Sequence, residues 1–326
     1  MMTPSCTAAL ELAALALDLR AGDEVIVPSF TFVSTASAFA LRGVKLRFAD
    51  IRPDTLNIDP NHVRALANDA TRVIAPVHYA GVACDMDILG EIARGVDAVI
   101  VEDNAHGLFG DFRGTPLGSL GAMATQSFHD TKNFTCGEGG ALIINDASLI
   151  ERAEILREKG TNRSRFFRGE IDKYTWVEVG SSYLLSDILA SVLLSQLQER
   201  ERVQGQRETI WNRYAAELWA WAGDNDVRLP IVPPHSKQAF HMFYLLLPGL
   251  EERSAFIGHL GKAGVQAVFH YLPLHLSTVG RAIGGTEGQL PVTESVSDRL
   301  VRLPFFTDMT ADEQAIALDA ILEFKV

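Results

Sequence analysis

Three places in this 326-residue chain carry residue types that could do chemistry. In Val99-Ile-Val-Glu-Asp-Asn-Ala-His106 an apolar strand ends in a carboxylate. In open α/β sheets the carboxyl ends of strands line the ligand crevice. The bland alternative is that Asp103 caps the following turn, as Asp commonly does. In Ser127-Phe-His-Asp-Thr-Lys132-Asn-Phe-Thr-Cys-Gly137-Glu-Gly-Gly140 a lysine sits in a polar, glycine-rich loop. It is either a solvated surface residue or an amine that sheds its proton to attack an aldehyde. Thr3-Pro-Ser-Cys-Thr7-Ala precedes a strong helix. Such hydroxyls are ordinary N-caps, but a helix start also suits a phosphate, because free N–H groups and the helix dipole favour an anion. The lysine loop lacks P-loop spacing, and no GxGxxG occurs anywhere, which disfavours a nicotinamide or flavin enzyme.

The elements around these residues read as an α/β protein. Glu24 to Val27, Lys45 to Phe48, Arg72 to Ala75, Ala98 to Val101, Ala124 to Ser127 and Ala141 to Ile144 are short strands, several nearly continuous in apolar residues. Helices from Ser34 to Arg42 and from Asp87 to Arg94 lie between the earlier ones, stopped by Gly43 and Gly95. Alternation of this kind predicts a mostly parallel sheet covered on both faces. From Ser186, an N-cap, a helical stretch runs to about residue 222, broken only by Gly205. Pro230, Pro233 and Pro234 then mark a boundary. His241 to Leu247, a helix near Arg253 to Lys262, and Val265 to Leu272 suggest a smaller α+β unit, closed by a capping box at Thr310 and Glu313. The expected division is a large domain over 1–222 and a small one over 223–326.

Composition narrows the function classes. With 29 Lys+Arg against 41 Asp+Glu the net charge is −12. Broad nucleic-acid binding needs surplus cations and is not expected; one anionic small substrate remains compatible. Ala8 to Leu19 is interrupted by Glu11 and Asp18, is too short for a bilayer and has no basic region before it, so neither a membrane span nor a signal peptide is expected. Three cysteines without CxxC spacing argue against a disulfide framework and against a metal site, and make a reducing cytoplasm the default.

Taken with Pro28-Ser-Phe-Thr-Phe-Val-Ser-Thr35, Pro76-Val-His-Tyr-Ala-Gly-Val-Ala-Cys84, Arg157-Glu-Lys-Gly-Thr-Asn-Arg-Ser-Arg-Phe-Phe-Arg-Gly169, Asp172-Lys-Tyr-Thr-Trp176 and Gly180-Ser-Ser-Tyr183, the whole chain resembles the fold type I aminotransferases that use pyridoxal phosphate (PLP) to aminate nucleotide-linked keto sugars. The resemblance implies that Lys132 holds PLP and that Asp103 pairs with its pyridinium nitrogen, keeping the ring an electron sink. It places His106 near the ring's phenolic oxygen, Phe32 on the ring face, and Cys6, Thr7 and Ser127 at the phosphate. It further implies glutamate as amino donor, a dTDP-linked 4-keto-6-deoxy sugar as acceptor with a galacto product, Lys132 as the proton shuttle, and a homodimer with shared active sites.

For the substrate's diphosphate, Arg163 and Arg165 stand in a segment of basic residues interleaved with aromatics, suited to gripping phosphates and stacking a base; a solvated loop of surface ion pairs is the alternative. His270-Tyr-Leu-Pro-Leu-His275 matches a family stretch near the sugar pocket and makes Tyr271 and His275 candidates. Two departures stand out. Many relatives carry Asn where this chain has Ser182, at a position reaching the partner subunit's PLP phosphate. Relatives also carry several tens of residues before the Thr3 phrase, so the sequence leads one to expect a start placed too far downstream or a shortened variant. Competing readings are a sister aminotransferase for another nucleotide or ring position, a sugar dehydratase on the same fold (which would replace Lys132 by His), and a non-catalytic nucleotide-sugar sensor.

Overall fold

The computed structural model describes residues 1–325. Its strands are β1 (Met2–Thr3), β2 (Glu24–Pro28), β3 (Lys45–Ala49), β4 (Thr71–Ile74), β5 (Val99–Asp103), β6 (Asp111–Phe112), β7 (Thr115–Pro116), β8 (Met123–Ser127), β9 (Gly140–Ile144), β10 (Ser236–Lys237), β11 (Tyr244–Leu246) and β12 (Leu300–Arg302). Seven form the central sheet in the order β1-β9-β8-β5-β4-β2-β3. The pairs β2–β3, β2–β4, β4–β5 and β5–β8 are parallel, whereas β8–β9 and β1–β9 are antiparallel. The six sequence-predicted strands all appear in this sheet. The two-residue β1 had no periodicity to reveal it.

β2, β4, β5 and β8 are buried along nearly their whole length, as strands with both faces covered must be. The helix Cys6–Ala16 seals one face with Ala8, Ala9, Leu10, Leu12, Ala13, Ala14 and Ala16, and Ser5 caps it by accepting the Ala8 N–H at 3.0 Å. Helix Met86–Gly95 packs Met86, Leu89, Ile92 and Ala93 with Ile26, Ile74 and Ile100 of the sheet in a separate cluster.

At the end of β5 two consecutive carboxylates point to opposite faces, as successive strand residues do. Glu102 is fully buried and accepts four hydrogen bonds: from Gly118, Leu120 and Gly121 N–H at 2.8, 2.7 and 2.7 Å, and from His78 Nε2 at 2.9 Å. His78 Nδ1 in turn accepts the Cys84 N–H, so the ring's proton sits on the Glu102 side. Burial works to raise the Glu102 pKa, but the hydrogen bonds from His78, Gly121 and Gly118 outweigh it and hold the carboxyl below its ordinary range. Its contribution to stability is therefore present above the unfolded carboxyl pKa and is lost as pH falls through the depressed folded value. Glu102→Ala leaves three backbone donors and His78 unpaired in the interior, and we expect a loss of about 3–5 kcal/mol in denaturant unfolding. A loss under 1 kcal/mol would show the loop at 118–121 re-pairing with solvent.

The second half of the chain differs from its sequence reading in detail. The stretch after Ser186 is three helices, Asp187–Gln198, Arg200–Glu217 and Trp219–Asp224, with breaks at Glu199 and Leu218. Gly205 lies inside the second helix, because burial of Val203, Arg207, Ile210 and Tyr214 on one face outweighs the roughly 1 kcal/mol a helical glycine costs. Residues 265–272 form no strand: their one backbone bridge to the antiparallel β11–β12 pair is Val268–Arg302, while Val265 and Ala267 pack by their side chains with Leu245 and Val301. Ile210, Tyr214, Leu218 and Trp221 pack in one cluster with Phe243, Phe256, Leu260, Val301 and Ile321. The predicted capping box is present, opening helix Ala311–Leu322. No helix among the described residues is long and apolar enough to cross a membrane.

Candidate active site

A cavity of about 560 Å³ opens at the carboxyl ends of β5 and β8. Asp103 and Ser127 enter it from those strand ends, Lys132 from the β8–β9 loop, Ser5, Cys6 and Thr7 from the first helix start, and Phe32, Ser34 and Thr35 from the start of the helix Val33–Ala40 that follows β2. His241, Phe269, His270, Tyr271 and Arg302 close it from the C-terminal part. Of the residues singled out in the sequence, Cys6, Thr7, Phe32, Asp103, His106, Ser127, Lys132 and Tyr271 all line this one space.

Asp103 is buried, with Oδ2 accepting from Thr35 Oγ1 at 2.6 Å and Oδ1 from the Ala105 N–H at 3.1 Å. Thr31 Oγ1 lies 2.9 Å from Thr35 Oγ1 and donates to it, since the Thr35 proton is committed to the carboxylate. Lys132 is half-buried, and burial lowers its pKa; the Asp103 carboxylate opposes that shift, and Arg302 adds to it. Burial, with Asp103 beside it, pushes the Cys6 thiol up to about 12, so it stays a thiol at neutral pH.

His106 stacks on His241 with ring centroids 4.1 Å apart. Burial, with His241 and Lys132 nearby, holds its pKa well below the ordinary range, so the ring is neutral. Its Nε2 faces the Tyr271 hydroxyl at 3.4 Å, while Nδ1 is buried without a partner. His241 is fixed by Asn133 Oδ1 at 3.0 Å on its Nδ1, and by Arg207, which donates to the carbonyls of Phe240 and His241 at 2.8 and 2.6 Å.

The opposite end of the cavity is built from hydroxyls. Thr7 Oγ1 and Ser34 Oγ are 2.7 Å apart, and the helix start leaves the Cys6 and Thr7 N–H groups without intrahelical acceptors. Gly140, at the head of β9, lets this turn cross: a Cβ there would strike the backbone of Ser5 and Cys6. An anion fits here, a protonated ring nitrogen fits beside Asp103, and an aldehyde fits Lys132. The orphaned His106 Nδ1 offers a hydrogen bond to a phenolic oxygen. This donor set matches PLP group by group.

The remaining sequence candidates lie outside the cavity wall. Ser182 is exposed and bridges to Glu158. Arg163 stacks over Phe167 and Tyr174 with its guanidinium 4.8 and 5.8 Å from the ring centres, and Arg165 pairs with Glu151 and Glu170 at 3.3 and 3.2 Å. His275 is fully buried, its nitrogens engaged by Ser29 Oγ at 2.7 Å and Glu294 at 3.0 Å. Thr35, His241, His270 and Arg302 were missed as site residues. Thr35 and His270 lie within the family-like segments 28–35 and 270–275; His241 and Arg302 carry no local pattern and reach the cavity only through tertiary packing.

Sheet, cavity and donor set together define a fold type I aminotransferase. The chain belongs to the DegT/DnrJ/EryC1/StrS aminotransferase family, whose model matches residues 1–321. It is 34% identical to MJ1066 of Methanocaldococcus jannaschii, over 97% of this chain and 83% of that protein. It is 30% identical to the spore coat polysaccharide biosynthesis protein SpsC of Bacillus subtilis, again over 97% and 83%. Among solved structures it is similar to the PLP form of the sugar aminotransferase Spr1654 from Streptococcus pneumoniae, with TM-score 0.89 and 28% identity over 98% of this chain and 85% of that one. The chain is thus a sugar aminotransferase with PLP as its cofactor.

Proposed function

We propose that the chain transfers an amino group from glutamate to C4 of dTDP-4-keto-6-deoxyglucose, as dTDP-4-amino-4,6-dideoxygalactose transaminase does. The observation that carries the chemistry is the amine of Lys132 in one cavity with buried Asp103 and a hydroxyl-lined helix start. PLP, when bound, supplies the electron sink and carries the amino group between the two substrates. Lys132 would hold it at its aldehyde, and the same amine would serve to move a proton to or from the substrate carbon. Asp103 keeps the ring nitrogen protonated, His106 donates to the phenolic oxygen, Phe32 covers the ring face, and Cys6, Thr7 and Ser127 hold the phosphate. Tyr271 and the neighbouring His275 segment shape the sugar side.

In this reading 1–222 is the PLP-binding domain and 223–326 the small one. The enzyme works as a homodimer in the cytoplasm, with Ser182 reaching the partner subunit's cofactor phosphate and Arg163 and Arg165 gripping the nucleotide diphosphate. A glutamate-dependent reaction followed by NMR of the product tests it. The expected product carries an axial amine at C4. Amination of a UDP-linked sugar in preference, or at C3, would move the chain to a sister activity.

A further inference from the structure

Arg302 is the one strongly basic side chain other than Lys132 in the cavity wall, among the described residues. On β12, Leu300 and Arg302 share a face while Val301 turns into the C-terminal core. Leu300 packs with Tyr79 and Tyr244, and the same face carries Arg302 into the cavity beside Tyr271. The strand is pinned by pairing of Arg302 with Tyr244 and by backbone bonds to Val268 of 2.7 and 3.2 Å. Its Nε is buried and has no hydrogen-bond partner. Its backbone partner Val268 leads directly into His270 and Tyr271, whose hydroxyl lies 3.4 Å from His106 Nε2, so Arg302 belongs to the histidine-lined side of the cavity wall. The phosphate end is lined by neutral hydroxyls and a helix start instead.

We infer that Arg302 is the receptor for the α-carboxylate of the amino-acid donor, a binding residue that sets donor affinity; this rests on the aminotransferase reading above. The argument is one of bond lengths and charge. In an amino acid the carboxylate hangs on the carbon that bears the amine, so when that amine stands where the Lys132 amine works, the carboxylate falls beside it. A hexose reacting at C4 carries its diphosphate at C1, across the ring, and so farther from Lys132. A planar guanidinium with an unused buried N–H is the group that binds a carboxylate with two parallel hydrogen bonds.

The test uses PLP-loaded protein and glutamate without any sugar, following the cofactor's absorbance change. Arg302→Gln should raise the half-saturating glutamate concentration at least tenfold. Glutarate, a dicarboxylate with no amine, should compete with glutamate in the wild type and stop competing in the variant. Arg302→Lys should fall between, keeping the charge but not the fork. The half-saturating concentration of the nucleotide sugar in full turnover should stay within about twofold, a split that general loss of structure would not produce. Unchanged glutamate dependence in Arg302→Gln, a rise in the nucleotide-sugar value instead, or no glutarate competition in the wild type overturns the inference. If wild-type protein takes up PLP but no amino acid changes its absorbance, the aminotransferase reading itself fails; a wild-type response that Arg302→Gln leaves untouched removes only the role of Arg302.

Discussion

Lys132→Ala should lower turnover on the order of 10⁴-fold and abolish the visible band of lysine-bound PLP. Lys132→Arg is the sharper variant, because it keeps the positive charge yet cannot shed its proton at working pH. A solvated loop lysine would tolerate that change; the amine of this cavity should not, and both variants should be inactive to the same degree. The pH dependence has a definite sign. Free lysine titrates near about 10.4. Burial lowers the Lys132 value, with Asp103 partly opposing and Arg302 reinforcing the shift. PLP capture by the wild type should therefore reach half its maximum at a lower pH than a free lysine side chain would, read from absorbance across a pH series. A midpoint at or above the free-lysine value would contradict the buried setting of the amine.

The sheet was legible because its strands are short apolar runs separated by helices with glycine stops, and six of the seven could be placed within about two residues. Lys132, Asp103 and Ser127 were legible for a related reason: they sit at strand ends or in the loop between two strands, so locating the strands locates them. Of the C-terminal half of the site, Tyr271 was legible through its family-like phrase, but His241 and Arg302 were not. His241 depends on Arg207 and Asn133 holding its backbone and ring from distant positions in sequence, and Arg302 depends on a three-residue strand whose facing was set by its partner β11. Glu102 shows the same limit from the other side. Its type and position beside Asp103 suggested nothing, yet four donors converge on it, three of them from a loop that closes only in the folded chain. Local pattern reports the elements; it does not report which polar atoms the elements leave needing a partner.

Asp103→Asn should separate two consequences of one charge. Turnover should fall on the order of 10²–10³-fold, because an amide cannot hold the ring nitrogen protonated and the preorganised charge beside the reacting centre is gone. At the same time Asp103 is one of the groups that raises the Lys132 pKa. Removing its charge should let burial act with less opposition, so the midpoint of PLP capture should move to lower pH even as turnover collapses. A variant that was merely misfolded would lose both capture and turnover and could not show that opposite movement. Thr35→Val supplies the comparison: it keeps the charge and nearly the volume, and removes the 2.6 Å hydrogen bond to Oδ2 together with the Thr31 hydroxyl's acceptor behind it. Its turnover should drop by roughly tenfold, the scale of one hydrogen bond to a charged group, with the capture midpoint close to wild type. If Thr35→Val proved as inactive as Asp103→Asn, orientation of the carboxylate rather than its charge would be the larger part of what Asp103 contributes.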